Sequence, residues 1–516
     1  MYELNPFETI IPGMEGDRDR PIAIFMAFGT KGDVYPIAAI AAAFAFDQTN
    51  YQVFFVTHSA HQDLAVNLVE RNVRCIPVSS PPVLSPPQID DNDDSHSHSF
   101  SVQKRMVAKN HRKESLCIME RIFGDSPTVE GDFVLINFFA LEGWSLAELF
   151  RVRCVVAAPY VVHYTAPSFF ERQFKRELPL LYRYLQEAPA DKVGWKDVMH
   201  WMWPLFSKEW ASWRKDELNL SPWPFTDPVT ELPTWHDMPL APLLLYGFSR
   251  EVVECPDYWP SNTRVCGFWF LPSKWQFSCR SCQDNFDCGG ELCPIHTGLR
   301  CFLDAHLSMP LVFVGLSSIG SMGFFRNPRA FLDILRASLG INSVRFILFT
   351  GGYKQLHMEV QLLAAELDSS LSEHKINQDG GISLFNGRLF CFDGSIPYSW
   401  LFKKCAAAIH HGGSGSTAAA LQAGVPQILC PCMLDQFYWA ERMFWLGVAP
   451  EPLKRAQLLP ENCDELSITE TARMLSKALN YALSPEVKAR AVEISERITQ
   501  EDGVSEAVRI LKEEMI

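Results

Sequence analysis

Three short groups of residues carry the side chains best suited to chemistry. The first is Gly29-Thr30-Lys31-Gly32-Asp33-Val34-Tyr35-Pro36, a glycine-bearing turn that follows an apolar run. An acid held in such a turn can reach a substrate beyond the carboxyl end of the strand, or it can cap the helix whose first turn Pro36 suits. The second group is His410-His411-Gly412-Gly413-Ser414-Gly415-Ser416-Thr417. Its glycines let the backbone approach a pyrophosphate, and the helix it opens offers free N–H groups and a positive dipole end. Ser416, Thr417 and His411 can all donate to phosphate oxygens. The third group, Pro431-Cys432-Met433-Leu434-Asp435-Gln436, sets an acid beside an amide. That pair can hydrogen-bond several sugar hydroxyls at once, although a plain polar loop reads the same way.

Each group needs a strand before it and a helix after it, and the sequence supplies both. Pro21 to Gly29 is a continuous apolar run of the kind buried in a parallel sheet. A helix is expected from about Pro36 to Phe46, a strand over Tyr51 to Thr57, a helix near Gln62 to Arg71 and a strand over Val73 to Pro77. Further strands fit Phe133 to Asn137 and Cys154 to Ala157. A second alternation starts near Pro310, with strands at Leu311 to Leu316, Val344 to Thr350, Leu389 to Phe392, Ala406 to His410 and Pro426 to Cys430. Between them lie a Ser317-Ser318 loop and helices over Pro328 to Leu339 and Ser416 to Gln422. Two such alternations predict an α/β chain with two doubly wound, Rossmann-like halves. The expected division is a leader at 1–20, a first domain at 21–255, a linker at 256–305, a second domain at 306–465 and helices at 466–516. Residues 81–100, rich in Pro, Asp, Ser and His, read as a mobile loop in which His96 and His98 are solvated rather than metal-bound.

Composition narrows the functional classes. The chain has 516 residues, 47% hydrophobic and 21% charged, a globular balance with room for two or three domains. A formal net charge of -14 argues against general affinity for nucleic acid or an anionic membrane. The first residues lack the pattern of a signal peptide, and no run is long and apolar enough to span a bilayer. Fifteen cysteines in that setting read as reduced thiols, so a cytoplasmic location is expected, with peripheral membrane contact left open.

Two further features stand out. Trp195, Trp201, Trp203, Trp210, Trp213, Trp223, Trp235 and Trp259 crowd one stretch with many prolines. They suit the wall of an apolar acceptor pocket or irregular packing around one core. Cys279, Cys282, Cys288 and Cys293 fall in the expected linker, with Cys266, His296 and Cys301 nearby. Thiolates at this spacing can hold a structural zinc; the alternative is a set of reduced linker cysteines.

Taken together, the motifs resemble the sterol glucosyltransferases among the family 1, UDP-sugar-dependent glycosyltransferases. Gly29 to Pro36 is similar to their GTRGDVQP-like element, with Lys31 for Arg and Tyr35 for Gln. His410 to Thr417 is similar to HHGGAGTT, Asp435-Gln436 to the donor-sugar Asp-Gln, and Pro397 to Phe402 to PHDWLF, with Tyr398 and Ser399 for His and Asp. Trp210-Ala211-Ser212-Trp213-Arg214 resembles an acceptor-domain stretch. The resemblance runs over most of residues 21–450. It implies the GT-B fold, two Rossmann-like domains facing across a cleft, and inverting transfer of glucose from UDP-glucose to a sterol or similar lipophilic alcohol. It implies Asp33 as the general base, in a place where the wider family commonly has histidine. It implies a donor site of Gly29, Thr30, Gly32, Ser317, Ser318, Ile396, Pro397, His411, Gly413, Ser414, Gly415, Ser416, Thr417, Asp435 and Gln436, with no catalytic metal. His163, Trp210 and Trp213 are acceptor-site candidates, although His163 also suits a core or surface role. The chain departs from the plant small-molecule enzymes at Ala418-Ala419-Ala420, where they carry a ribose-binding glutamate, and at Ser395, where they carry a tryptophan. Rival readings are a terpenoid or phenolic acceptor, and a catalytically weak protein that binds sterol or nucleotide.

Overall fold

A computed structural model describes residues 20–84, 94–124, 128–161, 166–286, 292–305, 308–368, 381–461 and 464–515. It divides into two compact units. The first draws on Met1–Pro82, Ser101–Phe270 and Asp502–Ile516, the second on Val83–Phe100 and Leu271–Glu501. Among the described residues no helix is long and apolar enough to cross a membrane.

The first unit is built on seven parallel strands: β1 (Ile22–Met26), β2 (Gln52–His58), β3 (Val73–Val78), β4 (Phe133–Ile136), β5 (Arg153–Ala158), β6 (Leu243–Tyr246) and β7 (Thr263–Val265). Their order is β3-β2-β1-β4-β5-β6-β7. Strands β1 and β4 are buried along their whole length, which is why they read as unbroken apolar runs rather than alternating ones. Phe25, Phe44 and Phe133 meet edge-on at 5.4 to 5.9 Å and tie β1 and β4 to the helix Lys31–Asp47. The chain winds outward from β1 to β3, then restarts beside β1 at β4. The point between β1 and β4 is therefore the topological switch, where open α/β sheets place ligands.

The second unit has six strands: β8 (Leu311–Gly315), β9 (Arg345–Phe349), β10 (Ile382–Leu384), β11 (Leu389–Phe392), β12 (Ala407–His410) and β13 (Gln427–Leu429). Their order is β10-β11-β9-β8-β12-β13, parallel except for β10 against β11. Its switch point lies between β8 and β12. Val312, Val314, Phe346, Leu348, Ile409 and Ile428 point to one face of this sheet and bury against the helices Pro328–Ile341 and Glu465–Ala482.

Several expectations change. The helix after β1 starts at Lys31, five residues before Pro36, because Thr30 and Asp33 close its first turn. Within residues 81–100, a helix Asp94–Phe123 begins, so this segment is not loop throughout; residues 85–93 and the side chains of His96 and His98 lie outside the described set. The expected linker at 256–305 is not one connection. Residues up to Phe270 belong to the first unit, where β7 forms the sheet edge, and those from Leu271 belong to the second. The last helix, Gly503–Met515, returns to the first unit and pairs Lys512 with Asp47 at 2.9 Å.

Candidate active site

The turn after β1 places Asp33 at the first unit's switch point. Oδ2 of Asp33 accepts from the Thr30 N–H at 2.7 Å and from the Thr30 hydroxyl at 2.8 Å. Oδ1 makes no hydrogen bond with the described residues, and the side chain is half-buried. Capping and chemistry are thus divided between the two oxygens of one carboxylate. Burial raises the Asp33 pKa to about 6, against a smaller downward pull from the two Thr30 hydrogen bonds. At neutral pH the group is mostly ionised and far more basic than an ordinary aspartate.

The turn is pinned from three sides by residues that motif reading missed. Buried Asn137, which follows β4, donates to the Phe28 carbonyl at 2.8 Å and the Asp33 carbonyl at 3.3 Å. It also accepts from the Phe28 N–H at 3.3 Å. His58, at the end of β2, accepts from the Gly29 N–H at 3.1 Å, and His61 donates to the Gly29 carbonyl at 2.9 Å. Behind His58, Ser80 bridges to His111 at 2.7 Å, and His111 Nε2 meets Glu142 at 2.8 Å. Burial and the neighbouring histidines hold the His58 pKa down to about 4, so its Nε2 stays a free acceptor. Burial would also lower His111, but the Glu142 carboxylate outweighs it and the net shift is upward. Gly29 has φ +103, and a Cβ there would lie 2.6 Å from Asp33 Oδ2, so both the turn and the acid require glycine. The available signal for Asn137 was a polar residue ending an all-apolar strand.

In the second unit the short helix Ser317–Ser321, where a loop was expected after β8, and the loop after β12 bring Ser318 and His411 together, with Ser318 Oγ 3.4 Å from His411 Nε2. The helix Ser414–Gln422 opens directly beyond, capped by Gly413. His410 is structural: Nδ1 accepts from the Gly412 N–H at 3.1 Å and Nε2 donates to Gln427 at 2.9 Å. Gly412 has φ +84, so the reversal after β12 favours glycine. Burial lowers the His411 pKa to about 4, only partly opposed by the Gly315 carbonyl, so the ring is neutral at pH 7. His411 Nδ1 and Thr417 Oγ1 are buried without a hydrogen-bond partner.

The remaining donor candidates frame this point. Asp435 Oδ2 accepts from the Trp439 indole at 3.0 Å, at the start of the helix Gln436–Trp445. Gln436 Oε1 accepts from the N–H groups of Cys432 and Met433 at 3.0 and 3.2 Å, which holds the loop and commits the carbonyl end of the amide. Ile396 is buried, and Pro397 starts the short helix Tyr398–Leu401 beyond β11. Gly32 lies in the first helical turn of the first unit with Thr30; Gly415 and Ser416 lie in the first turn of Ser414–Gln422. The Ser317 side chain and His163 lie outside the described residues.

Trp210 and Trp213 lie on the helix Lys208–Asp216 and are covered by Arg112, whose guanidinium sits 4.3 and 5.6 Å from their rings. Trp213 is buried and Arg214 beside it forms a two-pronged pair with Glu148 at 2.8 and 2.9 Å, so this helix is anchored in the unit's core. Trp201 packs against Trp144 at 5.5 Å and Phe138 at 6.0 Å, below the exposed Phe139 that follows β4. Of the expected thiolate set, Cys279, Cys282 and Cys293 gather with His296, and Cys288 lies outside the described residues.

Comparison with known proteins agrees with this layout. Residues 388–487 match the family model described as Erythromycin biosynthesis protein CIII-like, C-terminal domain. That span holds β11, β12, the His-Gly turn and the Asp435-Gln436 pair. A sterol 3-beta-glucosyltransferase of Arabidopsis thaliana is 40% identical over 112 residues, 22% of this chain and 16% of that protein. A sterol 3-beta-glucosyltransferase of Debaryomyces hansenii is 26% identical over 507 residues, 95% of this chain and 26% of that protein. The chain thus spans well under a third of the length of these curated relatives. The crystal structure of the glycosyltransferase VinC in complex with dTDP aligns with a TM-score of 0.52 at 16% identity, covering 95% of this chain and 98% of that one. The fold is GT-B, and in sequence the chain is similar to the sterol 3-beta-glucosyltransferases over most of its own length.

Proposed function

We propose that this chain is an inverting glycosyltransferase that moves glucose from UDP-glucose to the hydroxyl of a sterol or similar lipophilic alcohol. The observation that carries the proposal is the convergence of Ser318, His411 and the N-terminus of Ser414–Gln422 at one switch point. Free N–H groups and the positive dipole end of this helix suit a diphosphate. The complex of VinC with dTDP, and the names of the curated relatives, support a nucleotide-sugar donor and a sterol acceptor.

In the reaction, Asp33 Oδ1 takes the proton from the acceptor hydroxyl as its oxygen attacks the anomeric carbon of the sugar. The bond from that carbon to the β-phosphate oxygen breaks, and the electron pair leaves with UDP. Configuration at the anomeric carbon inverts, and the proton on Asp33 passes to solvent. The helix terminus and a donor N–H of His411 stabilise the charge that develops on the diphosphate, which is work a metal ion does in other enzymes. Gln436 has its Nε2 left for a sugar hydroxyl once Oε1 has bound the loop, and Asp435 accepts from a second. The backbone at Ile396 and Pro397, just beyond β11, is assigned to the nucleobase. The transition state is oxocarbenium-like, as in other glycosidic chemistry.

The acceptor is tested by incubating the purified chain with UDP-glucose and separate sterols, terpenoids and phenolics. Mass spectrometry and proton NMR then identify product and anomer. A sterol β-glucoside is the expected product. Product from phenolics or terpenoids alone would overturn the sterol, and an α-anomer would overturn inversion. UDP binding without any product would turn the reading to a nucleotide-binding protein.

A further inference from the structure

The described residues of 271–304 form a segment of the second unit that contributes none of the donor-site side chains named above. It holds the helices Arg280–Phe286 and Thr297–Asp304 and a short turn at Pro294–His296. Four side chains of this segment point at one another. The ligand atoms of Cys279, Cys282, Cys293 and His296 all lie within 4.8 Å of each other. Cys279 Sγ is 3.7 Å from Cys293 Sγ. His296 Nδ1 is 3.4 Å from Cys282 Sγ and 3.3 Å from Cys293 Sγ. Tetrahedral zinc with ordinary bond lengths sets sulfur atoms about 3.8 Å apart and sulfur to nitrogen about 3.6 Å. The three shorter distances suit one ion at the centre.

We propose that Cys279, Cys282, Cys293 and His296 bind a structural zinc ion, closing a Cys3His knuckle that braces the loop after β11. The sequence pattern is two chelating pairs, Cys-x-x-Cys and Cys-Pro-Ile-His, ten residues apart. The backbone is arranged for thiolates: the Cys293 N–H donates to Cys282 Sγ at 3.4 Å. Cys282, Cys293 and His296 are buried, so four polar ligand atoms meet in an apolar setting made by Phe277, Leu292, Leu299 and Phe392. A cluster of thiols in such a place is poor packing without an ion and a strong chelate with one.

The knuckle touches the donor loop directly. The Ser278 N–H donates to the Ser395 carbonyl at 3.1 Å, and the Ser395 N–H donates to Ser278 Oγ at 3.0 Å. The His296 ring packs edge-on against Phe392 at 5.8 Å, at the end of β11. Loss of zinc therefore loosens Ser395, Ile396 and Pro397. The metal claim stands apart from the proposed reaction; only its effect on UDP affinity depends on it.

The test is the zinc content of the full chain purified under reducing conditions, by plasma mass spectrometry. One zinc per chain is expected, retained by Cys288→Ser and Cys301→Ser and lost by Cys282→Ser and Cys293→Ser. Should the last two variants fail to fold, exchange of the wild-type ion for cobalt provides the second measurement. The visible bands of tetrahedral cobalt with thiolate charge transfer are expected. A metal-free wild type with no cobalt spectrum would overturn the site. So would a Cys279–Cys293 disulfide in the intact mass, or full zinc content in a folded Cys282→Ser. Zinc loss on Cys288→Ser alone would overturn the ligand set.

Discussion

Ser318 Oγ lies 3.4 Å from His411 Nε2, and this contact joins the short helix Ser317–Ser321 after β8 to the loop that leaves the carboxyl end of β12. Adjacent parallel strands that diverge in connectivity leave a gap above their ends, and these two side chains fill it. His411→Ala should therefore weaken UDP binding by about 10- to 100-fold, the range for a hydrogen bond to a charged group. Ser318→Ala should weaken it less, because the hydroxyl orients the ring and the ring meets the phosphate. Isothermal titration with UDP checks both, and an unchanged affinity in His411→Ala would contradict the site.

Gly413 offers a finer probe. Its backbone is ordinary for any residue, but a Cβ there would lie 2.6 Å from His411 Nε2. The imidazole is the part free to yield, so Gly413→Ala should displace it while leaving the fold intact. UDP affinity should fall about tenfold with little change in Tm. Equal loss of both would place Gly413 in folding rather than in binding.

Asp33 should leave its signature in the pH profile. Its carboxyl is raised to about 6 by burial, and the base must be ionised to accept a proton. The kcat/KM should rise tenfold per unit below about pH 6 and level off above it. Asp33→Asn should lose about 10²- to 10⁴-fold in kcat, the usual worth of a general base, at every pH. A wild-type profile flat from pH 5 to 8 would exclude this carboxyl as the titrating group.

The same shift makes a stability prediction with its own sign. The native pKa of Asp33, about 6, exceeds the ordinary value of 3.8, so the folded chain holds this proton more tightly than the unfolded one. The stabilisation is fully present below about pH 4 and is lost as pH rises through about 6. Asp33→Asn, which does not ionise, should match wild type at pH 4 and exceed it at pH 7. Urea denaturation at the two pH values measures the difference, and a less stable variant at pH 7 would show that capping of Thr30 outweighs burial.

Much of this site was legible in the chain because buried parallel strands write themselves as apolar runs. Strand β11 matches its expected bounds, and β1, β8 and β12 fall within two or three residues of theirs. The glycines of the two turns point to close backbone approach and single out Asp33 and His411 beside them, whereas Asp435 and Gln436 stood out only through the family resemblance. Residues that act through tertiary pairing were not legible. Asn137 and His58 reach Gly29 and Phe28 from strands far away in sequence, and no local pattern marks that role. Strands β6 and β7 were hidden among tryptophans and prolines whose irregular spacing masks short apolar runs. The helix Asp94–Phe123 was obscured by its polar start, which resembles a loop by composition alone. Arg112 covering Trp210 and Trp213 is likewise a contact between distant elements.

The central claim is that Asp33 is the base and that His411 and the N-terminus of Ser414–Gln422 hold the donor, and one paired measurement tests it most directly. UDP release from UDP-glucose with a sterol acceptor is followed for wild type and Asp33→Ala, with UDP affinity measured for both. The account predicts sterol-dependent release by wild type, its loss in Asp33→Ala, and equal UDP affinity in the two proteins. Full release by Asp33→Ala would contradict the assignment of the base, and a matching loss of UDP affinity would contradict the separation of base from donor site.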